Sequence, residues 1–264
     1  MLKAAQIATP ANASAAVVAP RSELENVLAV PYVQAAFIPP APRAAWQDEL
    51  DAAVEAGEFR VPRTELAGIG IDIIATWLDG NLPQRSISRA TRDALLSDLI
   101  DLMHLQAAIT NTATLRVRIL TAAPDRRCGF HVDTVLPGLP TWGLFRVYNG
   151  VGTNWIDASA VESMQAFYAW LHDRDRIVRR FAHDAAERDA RLEILDCHPE
   201  FLVDSASIEY IAAGTTVVFR HLDACYHWQD HSPQLAWIHC SPMAGEPRLV
   251  VNVSASHPGV QLNS

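Results

Sequence analysis

An imidazole at His131 and a carboxylate at Asp133 stand two residues apart in Cys128-Gly129-Phe130-His131-Val132-Asp133-Thr134-Val135. In an extended strand, residues two apart point to the same face, so this pair offers a nitrogen and an oxygen to one ion. That is half a metal site. A second histidine brought from elsewhere completes a face of two histidines and one carboxylate, and the remaining positions of the ion stay open to exogenous ligands. The run Trp237-Ile238-His239-Cys240-Ser241-Pro242 supplies the candidate, His239, and Arg248 follows it.

The tripeptide spacing carries little weight by itself, because His131/Asp133, His198/Glu200 and His221/Asp223 all share it. Pro199 separates the second pair, which reads as a loop. The third lies in HLDACYHWQDH (221–231) beside His227 and His231 and is a rival metal cluster. A chain that holds no metal is the remaining alternative. Context favours the first pair, since it lies in a β-like run with a partner run downstream. There LAWIH, the turn-like PMAGEP and RLVVNVS read as two antiparallel strands joined by a hairpin. Arg248, Val250, Asn252 and Ser254 alternate onto one face of the return strand. An inward guanidinium fork beside a metal suits bidentate capture of a carboxylate, whereas an exposed strand-end arginine would have no such role.

Further candidates for a pocket wall flank these runs. Arg116 and Arg118 share one strand face before the triad, and Arg146, Tyr148, Asn154 and Trp155 lie on strands after it. Core packing is the competing account for each aromatic. Cys128 and Cys240 flank the triad, but Cys240 follows His239 directly, so it points to the other face as a packing residue.

These residues need a β scaffold, and the chain has the texture of one after Thr114. LRVRIL (115–120), FHVDTV (130–135), TWGLFRVY (141–148) and TNWI (153–156) form a first block, with SIEYIAAGTTVVFR (207–220), LAWIH (235–239) and RLVVNVS (248–254) as a second. Pro124-Asp125, Pro137-Gly138 and Asn149-Gly150 punctuate them. Many short strands of this kind predict a sandwich or barrel. Between the blocks, 158–195 is charge-rich and free of Gly and Pro, which predicts one or two inserted helices with a solvated arginine-rich face.

Upstream, 43–56 places Trp46, Leu50 and Val54 on one helical stripe that Gly57 ends, and the run from Ser88 through Ile109 gives a second helix with a broad leucine face. Prolines 39, 40 and 42 mark an irregular approach to the first. Residues 1–22 are small and weakly patterned and predict a flexible arm. The expected organisation is mainly β with flanking helices (α+β). One catalytic domain spans 23–264, with a helical part at 43–110, a β core at 114–254 and the 158–195 insertion.

Composition narrows the function. The 264 residues are half hydrophobic with a net charge of -9, which fits a folded domain and argues against a nucleic-acid binder. Four cysteines form no CxxC pair, so a zinc ribbon is not indicated. No apolar run approaches a membrane span and no compact signal core follows Lys3, so a cytoplasmic protein is expected.

The order HVD, a later His239, then Arg248 nine residues on resembles the Fe(II)/2-oxoglutarate dioxygenases, and EYIAAGTTVVF resembles the strand-turn-strand before the distal histidine of that fold. The resemblance covers about 114–254. It implies a double-stranded β-helix (jelly-roll, cupin-like) core, Fe(2+) on His131, Asp133 and His239, and 2-oxoglutarate anchored by Arg248 with help from Ser241 and Asn252. It implies oxidation of a C–H bond of a small molecule, hydroxylation being the commonest outcome in the family.

More closely, LRVRIL, CGFHVDTV, VYNGVGTNWI, IHCSP and RLVVNVS are similar to the uncharacterised bacterial family numbered 1826 among domains of unknown function. The chain departs from it in a longer segment after Asp133 and in the 158–195 insertion. A cupin-like zinc-handling protein without turnover is the alternative, because His and carboxylate also suit zinc. Arg248 discriminates, since metal handling has no use for it. A β-barrel interaction domain with a decayed site is a third reading.

Overall fold

Capping and hydrophobic stripes lay out the N-terminal half. A strand β1 (Ala16–Val18) and a short helix α1 (Leu24–Leu28) precede β2 (Ala35–Ile38), in a computed structural model that describes residues 15–197, 199–203 and 208–259. Helix α2 (Ala45–Glu55) opens where the Gln47 side chain accepts the Ala44 N–H, and Gly57 follows its end. Strand β3 (Thr64–Ile69) and helix α3 (Ile71–Asn81) come next. Helix α4 (Arg89–Thr110) starts on the Ser88 hydroxyl, which accepts the Thr91 N–H, and stops at Asn111 in the left-handed conformation.

The β core contains β4 (Leu115–Ala122), β5 (His131–Val132), β6 (Thr134–Val135), β7 (Trp142–Val147) and β8 (Thr153–Ile156). Helices α5 (Met164–Arg180) and α6 (Ala185–Cys197) interrupt it. It resumes with β9 (Glu209–Ile211), β10 (Thr216–Arg220), β11 (Leu222–Asp223), β12 (Ile238–Cys240) and β13 (Arg248–Ala255).

Strand order defines the fold. One seven-stranded sheet runs β1-β2-β10-β7-β13-β4-β3, a four-stranded sheet runs β5-β12-β8-β9, and β6 pairs with β11 in a parallel two-stranded piece. Strands from the two chain blocks lie side by side, β13 against β4 and β12 against β5, all antiparallel. The chain passes back and forth between two facing sheets, which makes the core a double-stranded β-helix with helices added, as the sequence predicts.

Four layers result. The outer face of the large sheet presents Leu115, Val117, Leu144, Leu249, Val251 and Val253, which pack with Leu50, Leu78, Leu95 and Leu99 of α2 to α4. Its inner face meets the small sheet through Phe145, Val217, Phe219, Trp155 and Trp237. The outer face of the small sheet, Val132, Ile156, Ile238 and Cys240, packs with Phe167 and Trp170 of α5. Burying a Phe such as Phe167 contributes about 1.5–3 kcal/mol, so the insertion is anchored by a core of its own.

Two expectations are corrected. The arm predicted over 1–22 does not hold for its described part, because Ala16–Val18 pair in parallel with Ala35–Phe37 at the edge of the large sheet; the rest of that expectation, over 1–14, falls outside the described residues. The predicted hairpin of LAWIH with RLVVNVS does not form. Strand β12 is flanked by β5 and β8, β13 by β4 and β7, so both edges of each are filled and residues 241–247 cross between sheets.

Candidate metal centre

His131 and His239 sit directly opposite one another in the antiparallel β5–β12 pair, with ring centroids 4.5 Å apart. Asp133, between β5 and β6, lies 3.9 Å from His131 Nε2 through one oxygen and 4.0 Å from His239 Nε2 through the other. The donor atoms of all three residues fall within 4.8 Å of one another, the one such group among the described residues. Each imidazole is oriented by its own strand. His131 Nδ1 is 2.9 Å from the Gly129 carbonyl and His239 Nδ1 is 3.3 Å from the Trp237 carbonyl. A carbonyl only accepts, so Nδ1 carries a hydrogen and Nε2 is the nitrogen turned to a candidate ion. Asn252 Nδ2 donates to Asp133 Oδ2 at 3.1 Å and fixes the carboxylate.

Charge sets two of the three candidate ligands in the form that binds a cation. Burial pushes the Asp133 pKa up, but His239, His131, His221 and Arg118 outweigh it and hold the carboxyl well below the usual range. Burial, reinforced by His131, takes His239 down to about 3, so its nitrogen is neutral. His131 goes the other way. Burial lowers it, yet the hydrogen bond and charge of Cys128 and the charge of Asp133 raise it to about 9. Burial likewise raises Cys128, but His131 and Ser241 bring it down to about 7.

Arg248 is 3% exposed and faces inward at the start of β13. Its Nη1 donates to the Val151 carbonyl at 2.7 Å and to the Gly152 carbonyl, and its Nη2 donates to Ser241 Oγ at 2.6 Å. These contacts use three of the five guanidinium N–H groups. Gly152 is required here, because a Cβ would fall 1.7 Å from the Ile211 carbonyl oxygen. Cys128, in contact with both His131 and Ser241, connects the triad to the Arg248 end. Only its position three residues before His131 hints at this in the sequence. On the other side, Trp237 stacks on His239 at 4.6 Å and Phe219 meets it edge-on at 5.2 Å, an apolar wall formed by inward-facing strand residues.

The remaining predicted residues divide. Arg118 faces inward and lines a polar cavity beside Asp133. Trp155 lies opposite His239 across β12–β8 and packs into the aromatic wall. Arg146 and Tyr148 do not reach the site. On β7 it is Phe145 and Val147 that face inward, so Arg146 and Tyr148 turn to the helical layer and bond Asp98 of α4 at 2.6 Å each. Asn154 pairs with Cys240, shares its side of the small sheet and bonds the thiol, facing away from the triad. The rival cluster is dispersed. Asp223 caps a turn through the Cys225 N–H, while His227 and His231 pack on Tyr168. His198 lies outside the described residues. Two further neighbours stand at the centre in other roles than the sequence suggests: His221, expected only in the rival cluster, lines the cavity beside Asp133, and Cys128, expected only to flank the triad, touches His131.

The strand order and the triad together define a double-stranded β-helix protein with a candidate centre of two histidines and one carboxylate. The chain belongs to the family described as "Protein of unknown function (DUF1826)", whose model matches residues 22–253. No curated protein matches it in sequence. Among solved structures it is similar to dioxygenase for auxin oxidation 1 from Arabidopsis thaliana in its complex with 2-oxoglutarate. The identity is 8% over 94% of each chain, with a TM-score of 0.47. The rice dioxygenase for auxin oxidation is similar at 12% identity over 90% of this chain and 78% of that one, TM-score 0.42. A Kdo hydroxylase described as a non-heme Fe(II) α-ketoglutarate-dependent dioxygenase, in complex with cobalt(II), is similar at 13% identity over 89% and 84%, TM-score 0.38.

Proposed function

We propose that the protein is a non-haem Fe(II)- and 2-oxoglutarate-dependent oxygenase acting on a small molecule. The donor set fits the ion: two imidazole nitrogens and one carboxylate, with no thiolate among them, suit iron(II) with open positions. Iron would be held by His131, Asp133 and His239, and the distal carboxylate of 2-oxoglutarate by Arg248 with Ser241 beside it. Iron and 2-oxoglutarate, when bound, supply oxidative decarboxylation by dioxygen and an oxidant for a C–H bond, with hydroxylation as the proposed outcome.

The chain's own residues orient and protect. Arg248 keeps two N–H groups for an acid, Asn252 fixes Asp133, and Trp237 and Phe219 keep water from the His239 side. His131 gives up its Nε2 proton when an ion arrives, because the carbonyl of Gly129 holds the other hydrogen on Nδ1.

The observation that carries this reading is the buried, inward guanidinium of Arg248 connected to the triad through Ser241 and Cys128. A zinc-handling site has no need of it. The test is thermal stabilisation of the metal-loaded protein by 2-oxoglutarate, which at a hundredfold excess over Kd adds about 2.7 kcal/mol. The stabilisation is expected in the wild type and absent in Arg248→Ala. Stabilisation by metal with no response to 2-oxoglutarate would favour metal handling.

A further inference from the structure

Beside the triad lies a polar cavity of about 20 Å³ that none of these roles uses. It exists because β13 and β4 pair in register, with Asn252 opposite Arg118 and Ser254 opposite Arg116, so two guanidinium groups, an amide and a hydroxyl share one inward face. His221 and Asp133 close it. The space suits one water-sized group, such as an acid oxygen.

Donors outnumber acceptors there. Arg116 and Arg118 share a single carboxylate, Glu65, and Arg116 takes both of its oxygens at 2.9 and 3.0 Å. Arg118 Nε is buried without a hydrogen-bond partner, its nearest Glu65 oxygen being 3.6 Å away and too far for one. His221 is 3% exposed and neither ring nitrogen has a partner. Its ring is seated against Gly143, where a Cβ would come within 2.2 Å of Nε2, so β7 makes room for this imidazole. Buried polar groups left unpaired in this way are rare and call for a partner. Asp133 feels the charge of both groups but hydrogen-bonds neither of these nitrogens, since its carboxylate faces the two candidate ligand histidines and Asn252.

We propose that this cavity receives the carboxylate of the prime substrate, with one acid oxygen entering between Arg118 and His221. The substrate is then a small organic acid, and because Asp133 belongs to both cavity and triad, the carbon nearest the acid group is the one offered for oxidation. The cosubstrate does not occupy it. Arg248 and Ser254 are six residues apart on β13, roughly 20 Å at the rise of a strand, so the two acid sites flank the triad from opposite sides. The substrate role rests on the oxygenase reading, whereas acid binding by the cavity does not.

The test uses the zinc-loaded protein with benzoate and its uncharged counterpart benzamide, read by thermal shift and calorimetry with and without saturating 2-oxoglutarate. Benzoate is expected to bind, benzamide not to, and 2-oxoglutarate to leave benzoate binding in place. Arg118→Gln should weaken benzoate roughly tenfold or more, as loss of a charge-assisted hydrogen bond does. Arg116→Gln, at a side chain 40% exposed, should weaken it in the same direction with less risk to folding. Equal binding of benzamide, equal affinity in both variants, or competition between benzoate and 2-oxoglutarate would overturn the proposal. Benzoate binding that depends on Arg118 in a protein that ignores 2-oxoglutarate would keep the acid site and remove the oxygenase reading.

Discussion

At the residue scale, the two histidines of the centre meet with opposite preferences for a proton. His131, raised to about 9, is charged at neutral pH in the metal-free protein, and an ion must displace that proton. Metal affinity should therefore rise about tenfold per pH unit from neutrality towards pH 9, with a shallower slope in Cys128→Ser. Competition with a chelator across this range measures it, and a flat profile would contradict it. The metal-free protein should show a stability optimum. His239, depressed to about 3, contributes stability that is full above its unfolded value of about 6.5 and is lost as pH falls towards 3. His131 contributes stability that is full below about 6.5 and is lost as pH rises through 9. Urea midpoints should accordingly peak near neutrality and decline on both sides. Asn252 holds Asp133 by a hydrogen bond and is not itself one of the three candidate ligands. Asn252→Ala should weaken metal roughly 10–100-fold, and unchanged affinity would exclude this orienting role.

At the element scale, the inserted helices are a fixed cover on the small sheet. Arg174 of α5 is 3% exposed, stacks over Trp170 and bonds both Asp196 of α6 and the Arg126 carbonyl in the loop that leads to His131. Arg174→Met should cost about 3–5 kcal/mol in urea unfolding, because it strands a buried carboxylate. Arg176→Met, on the exposed face of the same helix, should change stability by no more than about 0.5 kcal/mol. The elements were legible where the pattern is periodic: α2, α4, β4, β13 and the 158–195 insertion stand close to their predicted spans. Strand-turn-strand texture says nothing about which sheet each strand joins, so the sequence of β12 and β13 predicts a hairpin although the two strands face each other across the core. Strand β7 is buried on both faces, so its sequence gives no inside and outside, and the pattern that predicts Arg146 and Tyr148 in the pocket does not reveal that they belong to the helix side.

At the scale of the whole molecule, the order of strands brings together what the sequence separates by more than a hundred residues. His131 enters from the first block, His239 and Arg248 from the second, and the pairing of β5 with β12 and β4 with β13 closes the site between them. The triad was legible because its ligands have a recognisable order. The acid cavity was not, since His221 meets Arg118 only through the fold, and nothing in HLDACYHWQDH distinguishes an inward His221 from its dispersed neighbours. Among the described residues no helix is long and apolar enough to cross a membrane. The central claim is that triad and Arg248 act as one cosubstrate-binding centre. Its most direct test is anaerobic addition of 2-oxoglutarate to the Fe(II)-loaded protein, followed by its visible absorption. The predicted result is a weak metal-to-ligand charge-transfer band in the wild type that is lost in His131→Ala and reduced in Arg248→Ala; an Fe(II)-loaded wild type with no such band at saturating 2-oxoglutarate would contradict the claim.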